Sequence, residues 1–165
     1  MRSPLDVLAA EPGAQVFPLF VHAHPDDETL DTGALLAWLT AQHVHVELGT
    51  CTRGERGEIV EGVLPANIAQ ADLVRVRQRE LARALGVLGV PDHDFLGTPP
   101  ARAADLQPRE YRDSGMRWVR EGLAGPAGLT DPQTLTAAPL DELVADLMVL
   151  IERVQPTVLV GYDDL

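Results

Sequence analysis

The stretch Val16-Phe17-Pro18-Leu19-Phe20-Val21-His22-Ala23-His24-Pro25-Asp26-Asp27-Glu28 decides the fold of this chain. Its apolar part, residues 16–21, is short and lies between Gly13 and Pro25, which is typical of a buried strand. From residue 29 to residue 42, apolar side chains recur every three or four positions, and the acidic residues before them suit a helix N-terminus. The stretch therefore predicts a strand, an acidic loop and a helix in succession.

The rest of the chain repeats this alternation. Further strands are predicted at 44–52, 94–96 and 157–160, and further helices at 69–88 and 140–154. Strands that alternate with helices indicate a parallel sheet. We therefore expect residues 1–165 to form a single α/β domain, a Rossmann-like parallel sheet with helices on both faces.

Residues 97–138 interrupt the pattern. They contain several prolines and glycines and have no sustained periodicity beyond a possible short helix around 116–123. A loop of this length inside a compact domain is normally either disordered or a lid over a site. We expect it to be a long active-site loop.

The charge balance excludes several classes of function. The chain has 13 basic and 25 acidic side chains, a formal net charge of -12, and all of its basic residues are arginine. The absence of lysine excludes a phosphate-binding P-loop and Schiff-base catalysis. Because the mean field repels polyanions, we expect neither nucleic acid nor a membrane as a partner.

The cysteine content bears on the compartment. Cys51 is the only cysteine, which excludes an intramolecular disulfide and fits a reducing environment. No apolar run approaches the roughly 20 residues of a membrane span, and we expect a cytoplasmic protein.

The loop after the first strand is the strongest candidate site. His24 and Asp27 supply a nitrogen and an oxygen ligand three residues apart, so both could bind one divalent cation in a catalytic zinc site. Alternatively, Asp26 or Asp27 caps the following helix and His24 packs beneath it. The adjacent carboxylates favour the metal site, since like charges repel unless a cation or a proton compensates them.

Two further features have ordinary alternatives. Residues 53–58 alternate arginine, glycine and glutamate, and form either a phosphate cradle or, as the glutamates favour, a solvated turn. Arg77 and Glu80 lie three residues apart on the predicted helix 69–88, where an exposed intrahelical ion pair is the simplest expectation.

Two motifs together resemble a known family. Residues 23–28, Ala-His-Pro-Asp-Asp-Glu, and residues 52–55, Thr-Arg-Gly-Glu, are similar to the zinc-dependent PIG-L/LmbE-type N-deacetylases. Residues 111–116 resemble the branch that acts on glucosaminyl-inositol in mycothiol biosynthesis. The resemblance implies a hydrolase that removes the N-acetyl group from a small amino-sugar conjugate, most specifically N-acetylglucosaminyl-inositol.

The resemblance also implies roles for individual residues. His24 and Asp27 would bind Zn²⁺, and Asp26 would be the general base. Arg77, Asp113 and Glu58 would bind the substrate, with Glu55 as the alternative to Glu58 in lining the cleft. The alternatives are an amidase of mycothiol S-conjugates, or a non-catalytic metal- or sugar-binding module if the chain ends at Leu165.

Members of the family that this sequence resembles continue beyond the position of Leu165 into a segment that supplies the third zinc ligand. We therefore expect this sequence to be truncated at the C-terminus, the N-terminal part of a longer protein. An oligomer is possible.

Overall fold

A computed structural model describes Leu5, Leu8, Ala9, Glu11 and residues 13–65, 67–121, 123–127 and 131–162. In chain order its elements are β1 (Pro18–His22), α1 (Asp27–Leu30), α2 (Gly33–Ala41), β2 (Glu47–Thr50), α3 (Gln70–Leu88), β3 (Asp92–Phe95), β4 (Met116–Arg120), β5 (Leu123–Pro126), α4 (Leu140–Val154) and β6 (Val158–Val160). A short 3₁₀ turn spans Leu135–Ala137.

The main sheet has four strands in the order β3-β2-β1-β6, and each neighbouring pair is parallel. Phe20 of β1 is in register with Leu48 of β2 on one side and with Val160 of β6 on the other. The predicted parallel α/β architecture is confirmed. All four carboxyl ends therefore lie at one edge of the sheet.

Helices cover both faces of this sheet. Phe20 is fully buried against residues of α2 and α3, while its neighbour Leu19 is fully buried against Leu150 and Val154 of α4. Successive strand residues point to opposite faces, so an apolar run such as that of β1 supplies both cores. At Gly49, a Cβ atom would lie 2.8 Å from Leu150, and glycine is what lets α4 approach β2.

The helix predicted at 29–42 is two helices, because the chain turns between α1 and Gly33 at the start of α2. The helix predicted at 69–88 is confirmed as α3, which ends at Gly89 in the left-handed conformation (φ 75°). No helix among the described residues has the length and apolar character needed to cross a membrane.

The segment 97–138 contains more regular structure than the sequence indicates. The short helix expected around 116–123 is wrong, because β4 and β5 form an antiparallel hairpin there, with Trp118 opposite Ala124. Aromatic and β-branched residues such as Trp118 and Val119 favour a strand over a helix at this position. Glycine and proline in β5 obscure the alternation in the sequence.

A buried polar network fastens this segment to α4. Asp146 is fully buried and accepts hydrogen bonds from Arg102 Nη1 (2.7 Å), Tyr111 Oη (2.6 Å) and the Ala103 backbone N–H (2.8 Å). Glu142 forms ion pairs with Arg102 (2.8 Å) and Arg109 (2.9 Å). Both acids lie on one helix, so the segment is held against a fixed element shortly before it reaches Asp113.

Candidate active site

The candidate site lies where the direction of strand addition reverses. From β1 the chain adds β2 and β3 on one side, then returns to add β6 on the other. Ligands of open parallel sheets bind at such a switch point, beyond the carboxyl ends of the strands. Here Tyr162, after β6, donates a hydrogen bond to Asp27 and accepts one from the Ala23 backbone N–H (2.9 Å), so the loops after β1 and β6 meet.

His24 lies between two carboxylates at this edge. Its Nδ1 is 3.5 Å from Asp27 Oδ2, and its Nε2 is 3.4 Å from Asp113 Oδ1. The contacts with Asp113 and Asp27 raise the pKa of His24 to about 10. The two acids therefore stabilise positive charge at this position. Asp113, which the sequence places far along the chain, is brought next to His24.

Asp27 is held as an anion. Burial raises its pKa, but the contacts with His24 and the hydrogen bond from Tyr162 outweigh burial and lower the pKa to about 2. Asp27 Oδ2 also accepts the His24 backbone N–H at 2.9 Å, which closes the turn on which both side chains lie. Their three-residue spacing thus brings the two side chains together.

Asp26 differs from its neighbour in conformation and in surroundings. Its φ of 144° is one that side-chain-bearing residues rarely adopt, and such strain is concentrated at functional sites. The cap expected in the alternative interpretation is not seen at α1, where Asp26 makes no side-chain capping hydrogen bond. Burial, and then the charge of Asp27, raise the pKa of Asp26. A carboxyl group with a raised pKa is suited to accept and return a proton.

Asp26 and Arg77 line a cavity of about 180 Å³. A second cavity, of about 540 Å³, adjoins it on the side of the β4–β5 hairpin. His24, Asp113 and Met116 line both cavities. The smaller cavity is the one that contains the raised-pKa carboxyl group.

The first half of the turn 53–58 is buried, whereas its sequence favours a solvated turn; only Glu58 at its end is exposed. Arg53 and Glu55 are buried, with exposed fractions of 5% and 7%. The guanidinium of Arg53 stacks on Phe95, 4.5 Å from the ring centre. Glu55 accepts a hydrogen bond from the Asp113 backbone N–H at 3.0 Å and so fixes the backbone of Asp113, a predicted substrate-binding residue. The contacts of both charged residues come from distant parts of the chain, which is why the solvated-turn expectation is wrong for this half of the turn.

Arg77 and Glu58 meet beside the smaller cavity. Arg77 pairs with Glu80 (3.3 Å), as expected on one helix, and donates a hydrogen bond to the Glu58 backbone oxygen (2.8 Å). Arg77 also lines the cavity with Asp26, whereas the Glu58 side chain is exposed. The substrate roles of Arg77, Asp113 and Glu58 remain predictions.

Two residues of the site were missed as individual candidates. Arg56 lines the smaller cavity and pairs with Asp131 (2.9 Å), which joins the turn after β2 to the segment that follows the hairpin. Tyr162 fixes Asp27. Their position in the chain was the available signal, since both residues lie in loops that follow strands of the parallel sheet.

The donor atoms of His24 and Asp27 fit a zinc ion. Two ligands of one tetrahedral zinc, at bond lengths of about 2.0–2.2 Å, lie about 3.4 Å apart, and His24 Nδ1 and Asp27 Oδ2 are separated by 3.5 Å. Among the described residues no three His, Cys, Asp or Glu side chains form a complete metal site. Asp113 contacts the opposite nitrogen of His24 and does not converge with Asp27 on one point.

Comparison with known proteins identifies relatives over most of the chain. Residues 19–165 match the family described as PIG-L, GlcNAc-PI de-N-acetylase. A 1D-myo-inositol 2-acetamido-2-deoxy-alpha-D-glucopyranoside deacetylase from Thermobispora bispora is 45% identical over 88% of this chain and 44% of its own length. The protein of that name from Kribbella flavida is 44% identical over 88% of this chain and 46% of its own. The chain thus spans less than half the length of these curated relatives.

Solved structures support the fold. A deacetylase from the teicoplanin biosynthesis pathway, in complex with teicoplanin, superposes with a TM-score of 0.55 at 21% identity, over 88% of this chain and 57% of its own. The zinc-inhibited form of a teicoplanin deacetylase gives a TM-score of 0.53 at 24% identity, over 88% and 55%. At this level of identity the likeness concerns the fold alone.

Proposed function

Since the chain belongs to the PIG-L, GlcNAc-PI de-N-acetylase family, we propose that it acts in the hydrolysis of the N-acetyl amide of an amino-sugar conjugate. The proposed substrate is the N-acetylglucosaminyl-inositol that its relatives' names specify. The products are acetate and the free amine.

One observation supports this function above the others. Asp26, with its raised pKa, lines the same small cavity as His24, and His24 pairs with the low-pKa carboxylate of Asp27. Two neighbouring carboxyl groups whose pKa values are shifted in opposite directions are typical of a divided acid and base assignment. Asp27 remains an anion and Asp26 is free to exchange a proton.

His24 and Asp27 would hold the zinc ion, which supplies a Lewis acid that makes water more acidic and polarises the amide carbonyl. Asp26 accepts a proton from the attacking water as its oxygen bonds to the carbonyl carbon. It then returns that proton to the amide nitrogen as the carbon–nitrogen bond breaks. The oxygen of the water ends in the acetate, and the proton taken from that water ends on the amine. Asp26 is again a carboxylate at the end of the cycle.

Charged side chains around the cavity suit a ligand rich in hydroxyl groups. Arg77 is fixed by Glu58 and Glu80 and supplies hydrogen-bond donors beside Asp26. Asp113 supplies an acceptor, and its backbone is fixed by Glu55. Rigidly held donors and acceptors of this kind orient a small substrate at low entropic cost.

The test is acetate release from N-acetylglucosaminyl-inositol by the zinc-loaded protein, compared with amine release from a mycothiol S-conjugate. The proposal predicts stoichiometric acetate and free amine from the first substrate and a far lower rate with the second. Preferential cleavage of the S-conjugate would contradict the proposed substrate. A lack of hydrolysis of either amide would contradict the enzymatic function.

A further inference from the structure

The two cavities of the candidate active site adjoin each other and differ in size. The smaller, of about 180 Å³, is below the range of about 300–1,000 Å³ that is usual for small-molecule sites, whereas the larger, of about 540 Å³, lies within it. His24, Asp113 and Met116 line both, so one ligand can extend from one into the other. On the proposed function, the acetamido group would lie beside Asp26 and the rest of the conjugate would extend toward the hairpin.

The hairpin forms a wall of the larger cavity through Met116 of β4 and Gly125 of β5. Alternate residues of a strand lie on the same face, roughly 6.6 Å apart. Trp118 therefore lies on the same face of β4 as Met116. The irregularity of the β4–β5 pairing comes after Trp118 and does not change this assignment. Val119 lies on the opposite face, with a methyl group 2.7 Å from where a Cβ of Gly125 would stand.

Trp118 belongs to neither of the two hydrophobic clusters that the described residues form. Its exposed fraction is 63%, in a segment that also exposes Met116 at 49%. Exposed apolar surface beside a cleft is typical of a binding site, and tryptophan offers a large rigid surface that loses little conformational entropy on contact. The C–H faces of hydroxylated six-membered rings stack well on such a surface, while their hydroxyl groups remain in water.

We propose that Trp118 is a stacking platform for the second ring of the substrate, the ring that is joined to the amino sugar. Trp118 then determines specificity by favouring conjugates with a second ring over the single amino sugar. The inference rests on the proposed function of the site and names a contact that lies outside the reacting groups. Because the contact is made equally in the ground state and the transition state, it affects KM and leaves kcat unchanged.

The test compares two substrates in three proteins. Trp118→Ala should raise KM for N-acetylglucosaminyl-inositol by about tenfold, which corresponds to about 1.4 kcal/mol, without changing kcat. It should leave the kinetics with N-acetylglucosamine, which has one ring, unchanged. Val119→Ala is the matched control, since Val119 is similarly exposed (57%) on the same strand but faces the other way. Equal KM values for Trp118→Ala and Val119→Ala on the conjugate would overturn the proposal.

A binding measurement separates this proposal from the proposed function. The chain has two tryptophans, Trp38 and Trp118, so a fluorescence change that is present in the wild type and absent in Trp118→Phe reports on Trp118. Titration with glucosaminyl-inositol should produce that change. If the wild type hydrolyses no conjugate, the function fails, yet the Trp118 signal still supports the platform. The absence of the signal overturns the platform, whatever the activity.

Discussion

Replacement of Asp146 by asparagine should destabilise the protein strongly. Asp146 is fully buried and accepts three hydrogen bonds, from Arg102, Tyr111 and the Ala103 backbone. Removal of one partner of a buried ion pair costs about 3–5 kcal/mol. In the variant, Glu142 would still lie 2.8 Å from Arg102 Nη1 and would partly balance the positive charge of Arg102. We therefore expect the lower end of this range, about 3 kcal/mol.

Urea unfolding measures this loss. With an m value of about 1–3 kcal/mol/M, the midpoint should fall by about 1 M or more. Asp72→Asn is the control, because Asp72 forms an ion pair with Arg75 in which both side chains are more than half exposed, and such pairs contribute about 0–1 kcal/mol. Equal midpoint shifts in the two variants would refute the claim that the network anchors the segment 97–138 to α4.

Three further outcomes are expected. Asp27→Asn should lower zinc stoichiometry, measured by elemental analysis, while Asp26→Asn should retain the metal; equal loss in both would show a joint carboxylate site. Burial lowers the pKa of folded His93 to about 4, so between pH 6.5 and pH 4 it is mainly the unfolded state that takes up this proton. The contribution of His93 to the free energy of unfolding should therefore fall by up to about 3 kcal/mol as the pH falls through that window; His93→Gln should make the pH dependence of unfolding shallower, and an unchanged pH dependence would contradict this assignment. Glu55→Ala should cost about 1–3 kcal/mol by leaving the buried Asp113 N–H without its acceptor, whereas Glu55→Gln should cost less, and identical thermal shifts would contradict this.

The parallel sheet was predictable because its strands and helices can be recognised from short stretches of neighbouring residues. In β1 the apolar run ends at His22, and in α3 the periodicity stops at Gly89. These signals need no knowledge of distant residues. The same holds for His24 and Asp27, whose three-residue spacing is closed by the backbone of one turn.

The remaining features depend on contacts between distant parts of the chain. The burial of Arg53 requires Phe95, and that of Glu55 requires Asp113. Charged residues are ordinarily exposed, so local composition predicts the opposite. The hairpin containing Trp118 was hidden for a related reason, since two short strands with glycine and proline carry too little alternation to be recognised.

The rate of acetate release by zinc-loaded Asp26→Asn, measured beside the wild type with N-acetylglucosaminyl-inositol, tests the central claim most directly. Asp26 has a raised pKa and lines the smaller cavity. Loss of a general base reduces the rate of catalysis by about 10²–10⁴-fold. We predict a fall of that size in kcat with zinc content unchanged. A variant that keeps its zinc and releases acetate at the wild-type rate would contradict the assignment of Asp26 as the base.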